Sequence, residues 1–293
     1  MIIYLRKKGD SLGPYLRDWG STLGPRIQAV EYGEISSWRE LPAATYVFTG
    51  HESLNAPQLS QATRLWDKLA HGSARVRLLN DPRRVLRRYE LLRMLHERGI
   101  NEHRAYRLRE AHRARLPVFL RRELTHWGLT RLLRSRTELA RAVGWFARRG
   151  WPMDQLLAVE FVDTADAEGF YHKYGAFYIG GRVVPRGLVF KREWMVKAAH
   201  RPKTPIERHV ALEREYLETN PHAPWIRDVF AAASIDYGRI DYSMRGDRPA
   251  VWEICTNPTP IAHVPVPAYM EPHVRQFAEA FGEALGSLDT SAG

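Results

Sequence analysis

Two acidic residues in the C-terminal third of the chain have the spacing of a metal-binding pair. Residues 237–257 have the pattern of a hairpin, with Asp241 on the first strand and Glu253 on the second. Because side chains alternate along a strand, a turn at residues 246–248 places these two carboxylates opposite each other. Facing carboxylates repel unless a cation lies between them, and Mg²⁺ prefers hard oxygen ligands of this kind. The spacing therefore indicates a magnesium site.

The same alternation assigns the other side chains of the hairpin to faces. It predicts two sets that each share a face, namely Arg239, Asp241 and Ser243 on the first strand and Val251, Glu253 and Cys255 on the second. An alternative to metal binding stays open, because a carboxylate at such a position also faces solvent or pairs with a neighbouring arginine. Arg239 and Arg248 are the arginines in question.

The elements that precede the hairpin begin with a sheet. In residues 1–82, apolar runs at 1–5, 44–49 and 76–79 have the pattern of strands, and residues 60–70 have that of a helix. Strands separated by helices are typical of a parallel, doubly wound sheet. The N-terminal part is therefore expected to be α/β.

The middle of the chain, residues 83–158, predicts a smaller unit. Its predicted elements are helices at 85–98 and 135–148 and strands at 117–121 and 156–162. The first helix is followed by Gly99, as helix ends often are.

Antiparallel signals dominate the last part, residues 159–293. The predicted elements are a hairpin at 173–190 that turns at Gly180 and Gly181, helices at 207–219 and 225–233, the acidic hairpin, and a helix at 269–285. The predicted fold class is thus α/β joined to α+β, in three parts with boundaries at residues 82 and 158.

The segment Trp252 to Pro258 (WEICTNP) resembles the C-terminal metal strand of the ATP-grasp superfamily, which includes glutathione synthetase-like carboxylate–amine ligases. In that pattern, Glu-x-Asn-x-x-Pro supplies magnesium ligands and an earlier Asp supplies another, which implies these roles for Glu253 and Asp241. Cys255 stands where the family has the ligating Asn, and a soft thiol is a poor magnesium ligand. Either Asn257 takes over part of that role, or a second magnesium is weakly held, or catalysis is impaired.

Other segments resemble the nucleotide-binding parts of the same superfamily. Arginines stand where the family has phosphate-contacting lysines, at Arg87 or Arg88 and at Arg121, and Lys173 is a further candidate phosphate contact. The tripeptide His126-Trp127-Gly128 lies where a phosphate-covering loop belongs. The segment Val159 to Val162 resembles the strand that reads adenine, with backbone groups of Phe161 and Val162 and a carboxylate from Glu160. The alternative for Glu160 is an exposed strand residue.

The resemblance implies an architecture and a reaction. It implies an ATP-grasp fold with an N-terminal pre-ATP-grasp domain, and ATP and Mg²⁺ as the cofactors. The implied reaction is ATP-dependent ligation of a carboxylate to an amine, on a small molecule, amino acid or peptide, through an acylphosphate. Lys173 and Arg239 are the candidate catalytic residues, since phosphoryl transfer depends on positioning and charge neutralisation.

Charge and composition add two alternatives. The 293 residues carry a formal charge of +11, and residues 83–150 contain 19 Arg against 6 Glu, so the excess of positive charge is local. Such a segment favours an anionic partner, including RNA or tRNA. A nucleotide sensor without turnover is the second alternative, because of Cys255 and the arginines at lysine positions. One cysteine and no long apolar run predict a cytoplasmic protein that neither spans a membrane nor forms internal disulfides.

Overall fold

The computed structural model of the chain describes residues 1–7, 9, 11–72, 75–84, 86–124, 128–196, 206–262 and 266–289. Its strands are β1 (Ile2–Arg6), β2 (Ile27–Glu31), β3 (Thr45–Phe48), β4 (Arg77–Leu79), β5 (Ala105–Arg107), β6 (Val118–Arg122), β7 (Leu156–Glu160), β8 (Tyr171–Ile179), β9 (Arg182–Lys191), β10 (Tyr237–Arg245) and β11 (Arg248–Cys255). Its helices are α1 (Gly13–Asp18), α2 (Tyr32–Ile35), α3 (Ala56–Ala70), α4 (Arg88–Glu97), α5 (Arg136–Arg148), α6 (Glu207–Thr219), α7 (Ala223–Ala233) and α8 (Glu271–Gly286). None of the described helices is long and apolar enough to cross a membrane.

The N-terminal sheet is parallel, as the sequence predicts. Its strand order is β2-β1-β3-β4. Sequence analysis missed β2, whose five residues bury only Ile27 and Val30 and so lack a clear alternation. Helix α3 begins four residues before the predicted start, because Asn55 and Gln58 form a capping box and Pro57 suits the first turn.

Two apolar layers cover this parallel sheet. On one face, α3 packs its Ala62, Leu65 and Leu69 against the strands. On the other face lies the C-terminal helix α8, whose Phe277 and Phe281 belong to the same core as residues of β1 and β3. The last helix of the chain therefore stabilises the first sheet.

The other two sheets are antiparallel. The three-stranded sheet has the order β5-β7-β6, and the four-stranded sheet has the order β11-β10-β8-β9. The β8–β9 hairpin turns at Gly180 and Gly181, both with positive φ, as predicted. The mixed architecture confirms the predicted fold class, whereas the boundaries at residues 82 and 158 stay predictions.

Helix α4 begins at Arg88, three residues after the predicted start. Arg87 has extended backbone angles and lies outside the helix, while Val85 is outside the described residues. The later start makes Arg88 the first helical residue. Its side chain points across to β11, where it contacts the acidic hairpin.

Asn80 joins the first sheet to the acidic hairpin. Its amide nitrogen donates to the carbonyl oxygens of Phe48 and Tyr237, at 2.9 and 2.8 Å, and its oxygen accepts from the N–H of Asp236. These bonds hold the carboxyl end of β3 beside the start of β10. The loop after β3 consequently lies against the end of β11, where the Gly50 N–H donates to the Thr256 hydroxyl at 2.9 Å.

Candidate active site

The two carboxylates predicted to face each other do so. Asp241 of β10 lies directly opposite Glu253 of β11. The predicted turn was one residue too long, because Arg245 pairs with Arg248 and only two residues form the turn. A β-bulge at Trp252 adds one residue to the second strand, which compensates for the shorter turn. Asp241 and Glu253 therefore pair as predicted.

The bulge also corrects the predicted faces. Val251 does not share a face with Glu253; it pairs with Tyr242 and lies fully buried in the core with Ile254. Trp252 instead lies on the face of Asp241, where its indole N–H donates to Ser243 at 3.0 Å. Two adjacent residues of β11, Trp252 and Glu253, therefore face the same cleft.

Asp241 is buried, at 5% exposed, and has two cationic partners. The Arg239 Nε lies 2.8 Å from Oδ1, and the Lys173 Nζ lies 3.0 Å from Oδ2. Burial acts to raise the pKa of this carboxyl, but Arg239 and Lys173 together hold it below its ordinary value. Asp241 is therefore ionised at neutral pH, and the predicted pairing with Arg239 is part of the site.

Two arginine side chains contact the Glu253 carboxylate. Arg88 donates to its Oε2, and the Arg121 guanidinium lies 3.6 Å from the same oxygen. Burial and the nearby Arg88 lower the pKa of Arg121 to about 9, which leaves it protonated at neutral pH. Two close guanidinium groups in a buried place favour a bound anion.

An aromatic cleft opens beside these charged groups. The ring of Trp194 lies 4.9 Å from Phe119 and 5.8 Å from Phe161, centroid to centroid. These rings line one cavity with Lys173, Arg121 and both carboxylates. An aromatic slot that ends in cationic side chains suits a purine base joined to a polyphosphate.

Backbone groups at the end of β7 face this cleft. Phe161 and Val162 line it, and none of the described residues accepts a hydrogen bond from the Val162 N–H. A ligand acceptor in the cleft could accept a hydrogen bond from this N–H. This geometry suits the predicted reading of adenine by residues 161 and 162.

Glu160 lies elsewhere. Its carboxylate is 4% exposed and accepts from the backbone N–H groups of Arg115 and Arg104, at 2.6 and 3.3 Å, and from the Tyr106 hydroxyl at 3.1 Å. The alternative of an exposed strand residue is wrong. Nor does the structure bring Glu160 to the cleft that Phe161 and Val162 line.

Asn257 and Cys255 line a second cavity, on the other side of Glu253. The Asn257 side-chain oxygen accepts from the hydroxyls of Ser11 and Tyr4, so its lone pairs are already used. Burial raises the pKa of the Cys255 thiol well above its ordinary value, which keeps it protonated and a poor metal ligand. The structure does not place Asn257 beside Asp241.

Glu52 also lines the second cavity, and sequence analysis did not find it. Its carboxylate accepts from the Thr256 N–H at 3.0 Å and from the Thr256 hydroxyl. No cationic side chain of the described residues forms an ion pair with it. The apolar side chains of the cavity include Leu86, Leu91 and Leu124, and its charged ones include Arg88, Glu123 and Glu253. The cavity thus contains a carboxylate that forms no ion pair with the part of the chain that the structure describes, next to apolar side chains.

The predicted phosphate-covering loop is described only at Gly128. His126 and Trp127 lie outside the described residues. Gly128 pairs with Arg121 of β6 and lines the aromatic cleft. A Cβ at this position would lie 2.2 Å from the Met195 Cε, so glycine lets the two segments approach closely.

Several solved structures have the same architecture and match this chain over almost its whole length. D-alanine–D-alanine ligase from Bacillus anthracis, complexed with ATP, is 10% identical, with a TM-score of 0.52 over 100% of this chain and 99% of that chain. D-cycloserine synthetase DcsG is 16% identical, with a TM-score of 0.52 over 97% and 100%. The ATP-grasp ligase PsnB, complexed with a phosphomimetic variant of its minimal precursor, Mg and ADP, is 10% identical, with a TM-score of 0.51 over 98% and 96%. No protein-family model and no curated protein matches this sequence.

Proposed function

We propose that this chain, whose fold is that of the ATP-grasp ligases, is an ATP- and Mg²⁺-dependent ligase that joins a carboxylate to an amine on an amino acid or peptide. The observation that carries the proposal is the facing pair Asp241 and Glu253 at the end of an aromatic cleft. Solved proteins of this fold are ligases that bind ATP, or Mg and ADP. The single cysteine supports a cytoplasmic location.

The charges of the site suit a magnesium-bound triphosphate. Four cationic side chains surround the two carboxylates, so these six groups carry a formal excess of two positive charges: Arg88, Arg121, Lys173, Arg239, Asp241 and Glu253. The aromatic cleft would hold adenine, and Arg88, Arg121 and Lys173 would contact phosphate oxygens.

The donor atoms fit one magnesium ion better than two. Asp241 and Glu253 supply the hard oxygens that Mg²⁺ prefers, and the described residues contain no group of three or more acidic, His or Cys side chains that could hold a metal. The rest of the coordination would come from phosphate and water. A bound Mg²⁺ would neutralise charge that develops on the phosphates.

The reaction needs little covalent help from the protein. A substrate carboxylate oxygen attacks the γ-phosphorus, the bond to the β-phosphate oxygen breaks, and ADP leaves. The amine nitrogen, in its neutral form, then attacks the acyl carbon, the C–N bond forms, the acyl C–O bond breaks, and phosphate leaves with the proton that the nitrogen loses. Lys173 would neutralise the transferring phosphoryl group, and Arg239 would hold the acylphosphate oxygens.

The function is tested by ADP release across a panel of amino acids and dipeptides as carboxylate and amine. Release that depends on both substrates supports the ligase.

One observation favours a second candidate, a nucleotide sensor, because both metal-binding carboxylates already have cationic partners. Nucleotide binding without ADP release for any substrate pair would support the sensor and overturn the ligase.

Glu52 is proposed to bind the ammonium group of the amine substrate. We expect Glu52→Gln to raise the KM for the amine roughly tenfold, since an amide loses the charge but keeps one acceptor oxygen for Thr256. The KM for ATP should stay unchanged. Steady-state kinetics with each substrate varied in turn would measure both. The matched control is Glu34→Gln, at an exposed position of α2. Equal KM values for the amine in both variants would contradict the role.

Cys255→Asn gives a further test of the metal site. Because Cys255 shares the face of Glu253 and lines the cavity beside it, an asparagine there should add a hard oxygen donor. We expect tighter Mg²⁺ in a titration of ATP binding, with an unchanged thermal midpoint. Cys255→Ala is the control, which removes the thiol without adding a donor. A lowered midpoint of Cys255→Asn, about 1 to 3 kcal/mol of lost stability with unaltered Mg²⁺ dependence, would instead place the thiol in the core.

A further inference from the structure

The outer side of α5 presents arginines around an exposed tryptophan. Its inner side chains, Leu139 and Phe146, are buried in the core of the small antiparallel sheet. On the opposite side, four exposed residues follow helical spacing and form what we name the arginine–tryptophan face: Arg141, Trp145, Arg148 and Arg149. The face lies on the opposite side of the helix from that core.

Trp145 is 43% exposed, which is unusual for the largest aromatic side chain. The Arg149 guanidinium carbon lies 3.8 Å from the centroid of its ring, and Phe146 meets the indole edge-on at 4.8 Å. These contacts hold the indole in place on the surface. An ordered planar ring beside a guanidinium forms a platform for stacking.

Among the described residues, no carboxylate forms an ion pair with the arginines of this face. Within the described residues, no ion pair is formed by Arg141, Arg148 or Arg149, whereas Arg107 of the same part of the chain pairs with Glu123 at 2.7 Å. At the start of α5, Arg136 donates to the carbonyl of Ala114 at 2.7 Å. Arg113, which precedes Ala114, is exposed and forms no ion pair with the described residues.

We propose that the arginine–tryptophan face binds single-stranded nucleic acid. The arginines match a row of phosphates, and the helix that carries them extends over roughly 20 Å. The exposed indole suits an unpaired base, which a duplex keeps inside its stack and an acidic peptide lacks. The proposal does not rest on the ligase activity, because neither ATP nor the acidic hairpin takes part.

The test is fluorescence anisotropy of a labelled single-stranded RNA of about twelve nucleotides, without ATP, from about 50 to about 200 mM salt. We expect the double variant Arg141→Glu/Arg148→Glu to weaken binding roughly tenfold or more. The matched control is Arg214→Glu/Arg227→Glu, which makes the same charge change at exposed positions of α6 and α7. It should weaken binding by less than about twofold. Equal losses in both double variants would overturn the proposal, because affinity would then follow net charge alone.

Trp145 separates stacking from charge. Trp145→Ala should weaken RNA binding about fivefold or more, and Trp145→Phe should restore most of it because an aromatic ring remains. Competition with duplex DNA and with polyglutamate of equal charge completes the test. The proposal would be overturned if either competitor displaced the labelled RNA as strongly as unlabelled RNA does. It would also be overturned if Trp145→Ala bound RNA with unchanged affinity, because the face would then be a general polyanion surface. Circular dichroism of each variant checks the fold.

Discussion

Glu253→Gln is expected to lower ADP production at least about 100-fold in a protein that stays folded. The substitution removes the charge that would hold Mg²⁺ and leaves two buried arginines, Arg88 and Arg121, without their shared carboxylate. The glutamine oxygen still accepts a hydrogen bond from Arg88, so the loss of stability should be smaller than for truncation. The measurement is the initial rate of ADP release under the best substrate pair, with the thermal midpoint measured beside it.

Glu102→Gln is the matched control for this prediction. Glu102 accepts from Arg245 and Arg248 at 2.8 and 3.0 Å, so it too pairs with two arginines and contacts the same hairpin, but at the exposed turn. Its turnover should equal that of the unaltered protein. Full activity of Glu253→Gln would mean that the facing carboxylates are structural, and the proposed mechanism would fail.

Mg²⁺ with ATP is expected to raise the thermal midpoint by about 5 °C at saturating concentration, and ATP with excess chelator by much less. The reason is coordination, since Asp241 and Glu253 would supply oxygen ligands to a Mg²⁺ that also binds the phosphates, and this link between protein and nucleotide is lost when a chelator removes the metal. Differential scanning fluorimetry with the four combinations of nucleotide, metal and chelator measures the difference directly. If the thermal midpoint does not change with nucleotide under any of these conditions, the proposed ATP site is wrong.

Asp241→Asn sharpens the thermal test. This variant should lose the difference between Mg²⁺ and chelator, because one of the two protein ligands is gone. Asp247→Asn changes the same residue type at the exposed turn of the same hairpin and should keep the full difference. If both variants respond to Mg²⁺ equally, then the metal is bound by the nucleotide alone.

Regular periodicity was enough to predict most of the fold. The strands at 1–5, 44–49 and 76–79 and the hairpin turn at Gly180 and Gly181 agree with the structure to within a residue or two. Short elements with mixed burial were missed, such as β2 and the three-residue β5. Their stability comes from pairing with neighbouring strands, which a local pattern does not contain.

The sequence was enough to predict the part of the site that lies on one hairpin. It was not enough to predict the parts that form where separate segments of the chain meet. Asp241 and Glu253 lie on adjoining strands, so spacing alone predicted their pairing. Trp194 and Glu52 reach the two cavities from loops without periodicity, and only the three-dimensional arrangement identifies them. Glu160 was predicted to reach the aromatic cleft because it precedes Phe161 and Val162, which do line it. Its side chain instead points away from the cleft, which the sequence pattern alone does not reveal.

The bulge at Trp252 means that distance from the turn does not determine which residue of β11 faces Asp241. A chain with one more residue in the turn and none in place of Trp252 would keep the same two carboxylates in register. Comparison of this hairpin with such a sequence matches both carboxylates either without gaps or with two gaps that compensate each other, one at the turn and one at residue 252. An alignment that allows only one would match Trp252 to the carboxylate position and wrongly classify the hairpin as lacking its second acidic residue.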